Sequence, residues 1–245
     1  MEATNCEATN SSFAQVTESE DRTSSGSGSL NYQGRKTSRV NSEQRRRTIL
    51  EAALRIVIRD GVRGVRHRAV AREAEVPLSA TTYYFKDISD LITDTFTLFV
   101  EMGAEKFKAY WEESDHKLTE ALSALEGHLD SGALFVDRLT DLAVEYVVSQ
   151  LEKHRDYLVA ERAFQLECLR NDKLRPVAFN HQNYLMQSLK AFFARIGSSQ
   201  PEVDARLLNA VIMQVEYEGL VKEGEHDVDF MRVMLKRQLE MMYRG

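Results

Sequence analysis

The stretch of residues 61–95 constrains the fold more than any other part of the chain, because it has the pattern of two short helices joined by a tight turn. In the first, Val65, Val70 and Ala74 are apolar positions at helical spacing. The second carries small and hydroxyl side chains and is closed by Phe85. So short a helix with so few apolar side chains cannot form a core element by itself. It fits a DNA major groove, where small side chains let the backbone approach the bases, and the pattern therefore predicts a helix-turn-helix.

The same stretch resembles the amino-terminal DNA-binding domain of the TetR family of transcriptional repressors. The resemblance covers roughly residues 44–95 and rests on the runs Ala71–Ala74 and Thr82–Asp87, with Val76, Leu91 and Ile92 at the expected spacing. The family usually has Gly in the turn, where this chain has Glu75. A non-Gly residue there requires a strained or altered turn.

Composition and charge divide the chain into three parts. The low proline count of three and the many Leu, Ala, Glu and Arg favour an all-α protein. Residues 35–86 hold thirteen Lys and Arg against five Asp and Glu, although the whole chain has a net charge of −6. A basic block beside an acidic body is typical of a DNA-binding domain on a sensing domain, although a basic block alone can be a solvated helix face. The predicted parts are a disordered tail rich in Ser, Thr, Asn and Glu at 1–40, a helix-turn-helix DNA-binding domain at 41–88, and a helical effector-binding and dimerisation domain at 89–245.

The helical pattern continues through the rest of the chain. Helices are predicted at about 43–60, 66–74, 78–84, 88–112, 117–129, 132–153, 155–170, 174–195, 202–222 and 227–243. Asn41 or Ser42 is a suitable N-cap for the first helix, Asp87 for the fourth and Ser199 for the ninth. The fourth helix begins at the DNA-binding domain and ends within the body, so it can link the two mechanically.

We expect the helix at 78–84 to enter the major groove and basic residues to attract the DNA backbone without regard to sequence. Ser79, Thr81 and Thr82 are candidates for contacts with base edges or nearby phosphates. The full set of predicted DNA-contacting residues is Arg45, Arg46, Arg47, Arg66, His67, Arg68, Leu78, Ser79, Ala80, Thr81, Thr82, Tyr83, Tyr84 and Lys86.

Polar side chains within apolar stretches of the body predict a cavity for a small molecule. Arg162 has apolar neighbours in the sequence and could pair with Glu145 or hold an acidic ligand. The aromatic content indicates an apolar or aromatic effector, although the same residues would serve equally as core. The predicted ligand-binding residues are Phe99, Phe107, Trp111, Glu145, Tyr146, Arg162, Gln165, His181 and Tyr184.

The last two helices carry wide apolar faces, which favour a partner. In the family that the chain resembles, this helix pair from each of two subunits forms a four-helix dimer interface, and the dimer presents two recognition helices to a palindromic site. The alternative is that these faces pack within their own subunit. The predicted interface residues are Leu208, Val211, Ile212, Val215, Met231, Met234 and Leu235.

Several other classes of function are not expected. The six histidines lack metal-ligand spacing, and there is no Gly-rich phosphate loop or nucleophile motif, so no metal, cofactor or enzymatic activity is predicted. Cys6 and Cys168 lie far apart, and no apolar stretch suits a membrane span or a signal region, which predicts a soluble cytoplasmic protein.

The sequence therefore predicts a homodimeric DNA-binding regulator, most simply a repressor that a small-molecule effector releases from double-stranded operator DNA. Two alternatives stay open. One is a DNA-binding architectural or accessory dimer without a small ligand. The other is a helical enzyme or scaffold in which the helix-turn-helix pattern is accidental.

Overall fold

The computed structural model describes residues 32–35, 40–125, 131–222 and 225–244. Within these ranges, the backbone alone is described at residues 107, 109, 111–115, 118–125, 131 and 243–244. The described residues form nine α-helices and a short 3-10 turn at Val62–Gly64, without a strand. The all-α prediction is confirmed. None of these helices is long and apolar enough to cross a membrane.

The helices follow one another with short connections. They are α1 (Val40–Asp60), α2 (His67–Glu73), α3 (Leu78–Tyr84), α4 (Ile88–Leu125), α5 (Ser131–Lys153), α6 (Arg155–Cys168), α7 (Arg175–Arg195), α8 (Pro201–Val221) and α9 (Val228–Arg244). We refer to α1, α2 and α3 as the head and to α5 through α9 as the body, with α4 shared between them.

Helix α1 buries one face and ends at a glycine. Its predicted stripe is buried as expected and consists of Ile49, Leu50, Ala53, Ile56 and Val57. Gly61 adopts a φ of 73° and donates its N–H to the carbonyl of Val57 at 2.9 Å, the left-handed position that glycine favours after a helix. The predicted N-caps Asn41 and Ser42 are wrong, because α1 already begins at Val40 and both residues lie in its first turn.

The prediction of a disordered tail at 1–40 is wrong for the segment 32–35. This segment lies against α4, because the backbone N–H groups of Gln33 and Gly34 donate to the carboxylate of Asp94. Residues 1–31 and 36–39 lie outside the described residues, so the rest of the tail prediction stays a prediction.

Helix α4 is a single helix of 38 residues, where the sequence predicted two helices with a break near residue 115. At about 1.5 Å per residue it is about 57 Å long. The polar residues that suggested a break include neither Pro nor Gly, and Lys117 instead forms an ion pair with Glu145 of α5 at 3.0 Å. The predicted cap is confirmed, since Asp87 accepts a hydrogen bond from the N–H of Ser89 at 2.9 Å.

The core of the body lies between α5, α7, α8 and α9, with Leu158 contributed by α6. Its buried members are Phe135, Val136, Leu139, Val144, Val147, Leu151, Leu158, Phe193, Ala205, Leu208, Val215, Met231, Leu235 and Leu239.

Helix α8 is preceded by Gln200, whose N–H donates to Ser198 Oγ, so the predicted cap Ser199 is wrong by one residue. The division of the chain at residue 88 stays a prediction, because α1 packs against both α4 and α6.

Candidate nucleic-acid interface and ligand cavity

The turn between α2 and α3 is left-handed at Glu75, whose φ is 54°. Val76 donates its N–H to the carbonyl of Ala71 at 3.0 Å and closes the turn. A left-handed non-Gly residue costs roughly 1–2 kcal/mol, and the altered turn expected at this position is confirmed. The Glu75 side chain is exposed, and α3 begins three residues later, directly after Pro77.

The outward face of α3 consists of side chains that can reach a duplex. Leu78, Ser79, Thr82 and Tyr83 are exposed and Ala80 is half-buried. Small residues and hydroxyls on one face of an anchored helix can lie close to base edges and phosphates. This face therefore has the shape and chemistry of a DNA-reading surface.

The inward face of α3 anchors the helix to the head. Thr81 is fully buried and donates its hydroxyl to the carbonyl of Leu78 at 2.9 Å. Tyr84 is 5% exposed, and its hydroxyl forms a hydrogen bond of 2.9 Å with Ser42 Oγ. The prediction that Thr81 and Tyr84 contact DNA is wrong, because their polar groups are used inside the head.

Most of the predicted basic residues are free to face solvent, but Arg46 is not. Its guanidinium is bound by Glu43 at 2.6 Å and faces the buried Asp94 at 3.4 Å. Burial of this pair explains why the DNA-contact prediction for Arg46 is wrong. Arg47 forms an exposed ion pair with Glu51 at 3.0 Å. The other predicted cations on the surface of the head are Arg45, Arg66, Arg68 and Lys86.

His67 is half-buried at the start of α2. Burial lowers the pKa of His67 below its ordinary value, and the smaller effect of Asp87 opposes this. The imidazole is therefore largely neutral at pH 7, and His67 adds no full positive charge to the head.

A cavity of about 340 Å³ opens between α4, α5, α6, α7 and α8. Aromatic rings form much of its wall, and Phe99 stacks on Tyr157 with ring centroids 4.4 Å apart. Helix α4 approaches α6 closely at Gly103, where a Cβ would collide with the hydroxyl of Tyr157. The volume of the cavity and its lining of both apolar and polar side chains suit a small ligand.

The polar end of the cavity holds two carboxylates and a histidine. Glu216 is 4% exposed and lies 3.3 Å from Arg162. The pKa of Glu216 is raised to about 8, chiefly by burial and in addition by Glu161, while Arg162 acts in the opposite direction. The two ring nitrogens of His181 are buried without a hydrogen-bond partner, and Nε2 lies 3.7 Å from Glu161 Oε1. Buried polar groups left unsatisfied in this way indicate a site that a ligand can complete.

Four predicted ligand-binding residues line the cavity, namely Phe99, Tyr146, Gln165 and His181. Three others do not. Glu145 is exposed and paired with Lys117, Arg162 lies behind Glu216, and Tyr184 is 42% exposed on α7. The side chains of Phe107 and Trp111 lie outside the described residues. The lining residues that the sequence prediction missed are Phe96, Gly103, Lys106, Tyr110, Gln150, Tyr157, Leu158, Glu161, Cys168, Ala178, Gln182, Leu185, Met186, Asn209, Ile212, Met213 and Glu216.

The predicted dimer-interface residues on α8 and α9 lie within the core of their own subunit or pack against its edge. Leu208, Val215, Met231 and Leu235 are buried in the core of the body, and Val211, Ile212 and Met234 pack against it. The prediction is wrong for the four buried residues, because α8 is apolar on two sides and the sequence does not show which side faces inward. For Val211, Ile212 and Met234, which are half-buried, it stays a prediction.

The other side of α8 carries an exposed apolar row, which we call the outer stripe. It consists of Val203, Leu207, Tyr217 and Val221, at spacings of about one or more helical turns. Phe230, Val233 and Met241 add exposed apolar side chains on α9. The sequence predicted wide apolar faces on these two helices, but it did not assign these exposed residues to the interface.

The chain matches one protein-family model and is similar to several solved structures. Residues 133–241 match the family model described as "Tetracyclin repressor-like, C-terminal domain". A member of the TetR family from Streptomyces coelicolor A3 is 29% identical, with a TM-score of 0.57 over 80% of this chain and 98% of that chain. The multidrug binding protein EbrR, complexed with ethidium, is 29% identical, with a TM-score of 0.55 and the same coverage of both chains.

A transcriptional regulator from Rhodococcus sp. Rha1 is 17% identical, with a TM-score of 0.58 over 82% of this chain and 96% of that chain. At this identity the likeness concerns the fold alone. No curated protein matches the chain.

Proposed function

We propose, from the premise that this chain belongs to the TetR family of transcriptional regulators, that it is a homodimeric, sequence-specific DNA-binding repressor that an aromatic cation releases from its operator. Proteins of this family are DNA-binding regulators and not enzymes. The observation that carries the proposal is the outward face of α3, where Ser79, Thr82 and Tyr83 are exposed on a helix whose other face is anchored.

In this proposal, some residues of the head recognise the base sequence, and others bind the phosphate backbone of any duplex. Ser79 and Thr82 contact base edges, while Tyr83 and Lys86 contact the phosphate backbone. Arg45, Arg66 and Arg68, which are exposed on the head, add attraction that does not depend on base sequence. The affinity therefore falls steeply as salt rises.

Dimerisation through the outer stripe supplies the second recognition helix. A two-fold axis beside α8 and α9 buries the exposed apolar side chains of both subunits against each other. A dimer of this kind binds a palindromic site whose half-sites are about one helical turn, or a multiple of it, apart. Within the outer stripe, Val221 and Tyr217 are the most exposed side chains, at 62% and 54%.

The cavity binds the effector. Aromatic walls together with Glu161 and Glu216 suit an aromatic cation, since rings attract cations and carboxylates neutralise them. The complex of EbrR with ethidium supports the same class of ligand. Because burial raises the pKa of Glu216 to about 8, a cation that binds at neutral pH displaces a proton from this carboxyl group.

Helix α4 couples the two sites. It begins at the head, and its side chains Phe96, Phe99 and Lys106 line the cavity farther along. An effector weakens DNA binding only if it binds better to the conformation that does not fit DNA. A hundredfold loss of DNA affinity requires about 2.7 kcal/mol of coupling between the sites.

Selection of bound duplexes from a random pool tests DNA binding. We expect a palindromic consensus, and loss of gel-shift binding to it in the double variant Tyr83→Ala with Lys86→Ala. Arg63→Ala is the control, because Arg63 lies on the turn that packs against α6. Failure to enrich any sequence, or unchanged binding by the double variant, would contradict the proposal.

Light scattering after gel filtration tests the dimer. The double variant Tyr217→Asp with Val221→Asp is expected to elute as a monomer, whereas Leu169→Asp, on an exposed residue after α6, stays a dimer. If the double variant remained a dimer, the outer stripe would be excluded as the dimer interface.

Tetraphenylphosphonium tests the effector, because this aromatic cation does not intercalate into DNA as ethidium does. It is expected to raise the melting temperature of the free protein and to dissociate the protein from its selected duplex. If neither tetraphenylphosphonium nor ethidium binds the free protein, the alternative of a DNA-binding dimer without a small ligand is favoured.

A further inference from the structure

A four-residue segment, Tyr32–Arg35, precedes the head and crosses from α4 to the end of α3. We call this segment the strap. The N–H of Gly34 donates to Asp94 Oδ2 at 2.8 Å, and the N–H of Gln33 donates to the other oxygen of the same carboxylate. The N–H of Arg35 donates to the carbonyl of Tyr84, the last residue of α3, at 2.9 Å. Three consecutive backbone groups are thus hydrogen-bonded to two helices.

The strap completes a buried charged pair. Asp94 is 0% exposed and faces Arg46 at 3.4 Å, and the guanidinium of Arg46 lies 4.1 Å from the ring centroid of Tyr32. The hydroxyl of Tyr32 donates to Glu101, two turns farther along α4. A buried carboxylate needs its hydrogen bonds satisfied, and the strap supplies two of those donors.

Only glycine fits at the centre of the strap. A Cβ at Gly34 would lie 2.6 Å from the ring of Phe85 and 2.9 Å from Asp94 Oδ2. Phe85 is fully buried and cannot move aside without disturbing the head. The docked position of the strap therefore depends on this residue.

Docking holds one cation beside the outward face of α3. Arg35 is exposed, and its guanidinium lies 4.3 Å from the ring centroid of Tyr83, which is 50% exposed. No carboxylate within the described part of the chain forms an ion pair with Arg35. The charge is therefore held at the surface that reads DNA and is available to an anion.

We propose that the strap is a further DNA-contacting element, in which Arg35 binds a phosphate of the duplex backbone beside the recognition helix. Tyr32 and Gly34 are positioning residues for this contact. The inference rests on the proposed function, since it requires that α3 bind DNA. The ligand is the phosphate diester itself, so the contact adds affinity on any duplex and carries no base preference.

The dependence of affinity on salt distinguishes this contact from a structural role. Each phosphate contact contributes about 0.9 to the slope of log K against log salt, so Arg35→Ala in both subunits of a dimer lowers the slope by about 2. We expect this loss with the selected duplex and also with a duplex of unrelated sequence, together with about a tenfold or greater loss of affinity at low salt. Arg63→Ala removes the same charge elsewhere on the head and should leave slope and affinity unchanged.

A second variant tests the positioning. Gly34→Ala keeps the Arg35 charge but undocks the strap, so it should weaken DNA binding, and combining it with Arg35→Ala should add little further loss. Circular dichroism of each variant shows whether the head remains folded. A folded Arg35→Ala protein with the wild-type salt slope would overturn the inference while leaving the proposed function intact. Failure of the wild-type protein to bind any duplex would instead overturn the proposed function.

Discussion

Two buried carboxylates, Asp94 where α4 packs on the head and Glu216 in the body, show how differently the same group is used in two regions. Each is at most 4% exposed, each lies 3.3–3.4 Å from an arginine, and burial raises the pKa of each. Asp94 also accepts two backbone N–H groups, which lower its pKa and offset part of the burial effect. No backbone N–H of the described residues donates to Glu216, and a second carboxylate, Glu161, raises its pKa.

The difference separates a structural group from a binding group. Asp94 is enclosed by the strap, α1 and α4, so its hydrogen bonds are complete without a ligand. Glu216 lines an open cavity, so its carboxylate can pair with a cationic group of a ligand that binds there. Removing Asp94 should therefore damage the fold, and removing Glu216 should damage ligand binding.

The largest expected effect is on stability at Asp94. Asp94→Ala leaves Arg46 buried without its partner and the strap N–H groups without acceptors, so the free energy of unfolding should fall by about 3–5 kcal/mol. Urea unfolding followed by circular dichroism measures it. The matched control is Asp141→Ala, which breaks an exposed pair with Arg232 and should cost less than about 1 kcal/mol. If the two variants lost equal amounts of unfolding free energy, the structural role assigned to Asp94 would be wrong.

The second effect is on ligand affinity at Glu216. Glu216→Gln keeps the shape of the side chain and removes its negative charge, so ethidium should bind at least about 30-fold more weakly, or about 2 kcal/mol. Ethidium fluorescence in the absence of DNA reports the affinity. Glu145→Gln is the control, because Glu145 lies outside the cavity. An equal loss at Glu145 would show that overall charge, and not the cavity, determines binding.

The smallest effect concerns pH and isolates the protonation of Glu216. Since the pKa of this carboxyl is about 8, the affinity for ethidium should rise roughly tenfold between pH 7 and pH 9 and then level off. The titratable and charged groups that face Glu216 are Glu161, Arg162, Tyr146 and Tyr157. The Glu216→Gln protein should lack the rise, and its persistence in that variant would assign the titration to another group.

The same shift has the opposite sign for the stability of the free protein. The pKa of Glu216 is raised on folding from 4.5 to about 8, so the native state binds more protons between these values. Its contribution is complete below pH 4.5 and is lost as the pH rises through about 8. The unfolding free energy of the wild type should therefore decline with pH in this range relative to Glu216→Gln.

The head was more predictable than the body because its signals are local. The stripe of α1, the stop at Gly61 and the cap at Asp87 each follow from a few neighbouring residues, whereas the altered turn at Glu75 was expected from the family resemblance. Conversely, Arg162 pairs with Glu216, which is 54 positions away, and not with Glu145. No spacing in the sequence distinguishes these two partners.

The sequence by itself determined the helical fold, most of the helix bounds and the helix-turn-helix, because periodicity and capping depend on residues within one or two turns. Tertiary structure alone decided which face of α8 is buried, that Arg46 is enclosed with Asp94, and that the strap is ordered. Periodicity shows which side chains share a face. The rotation of each helix against its neighbours decides what that face meets.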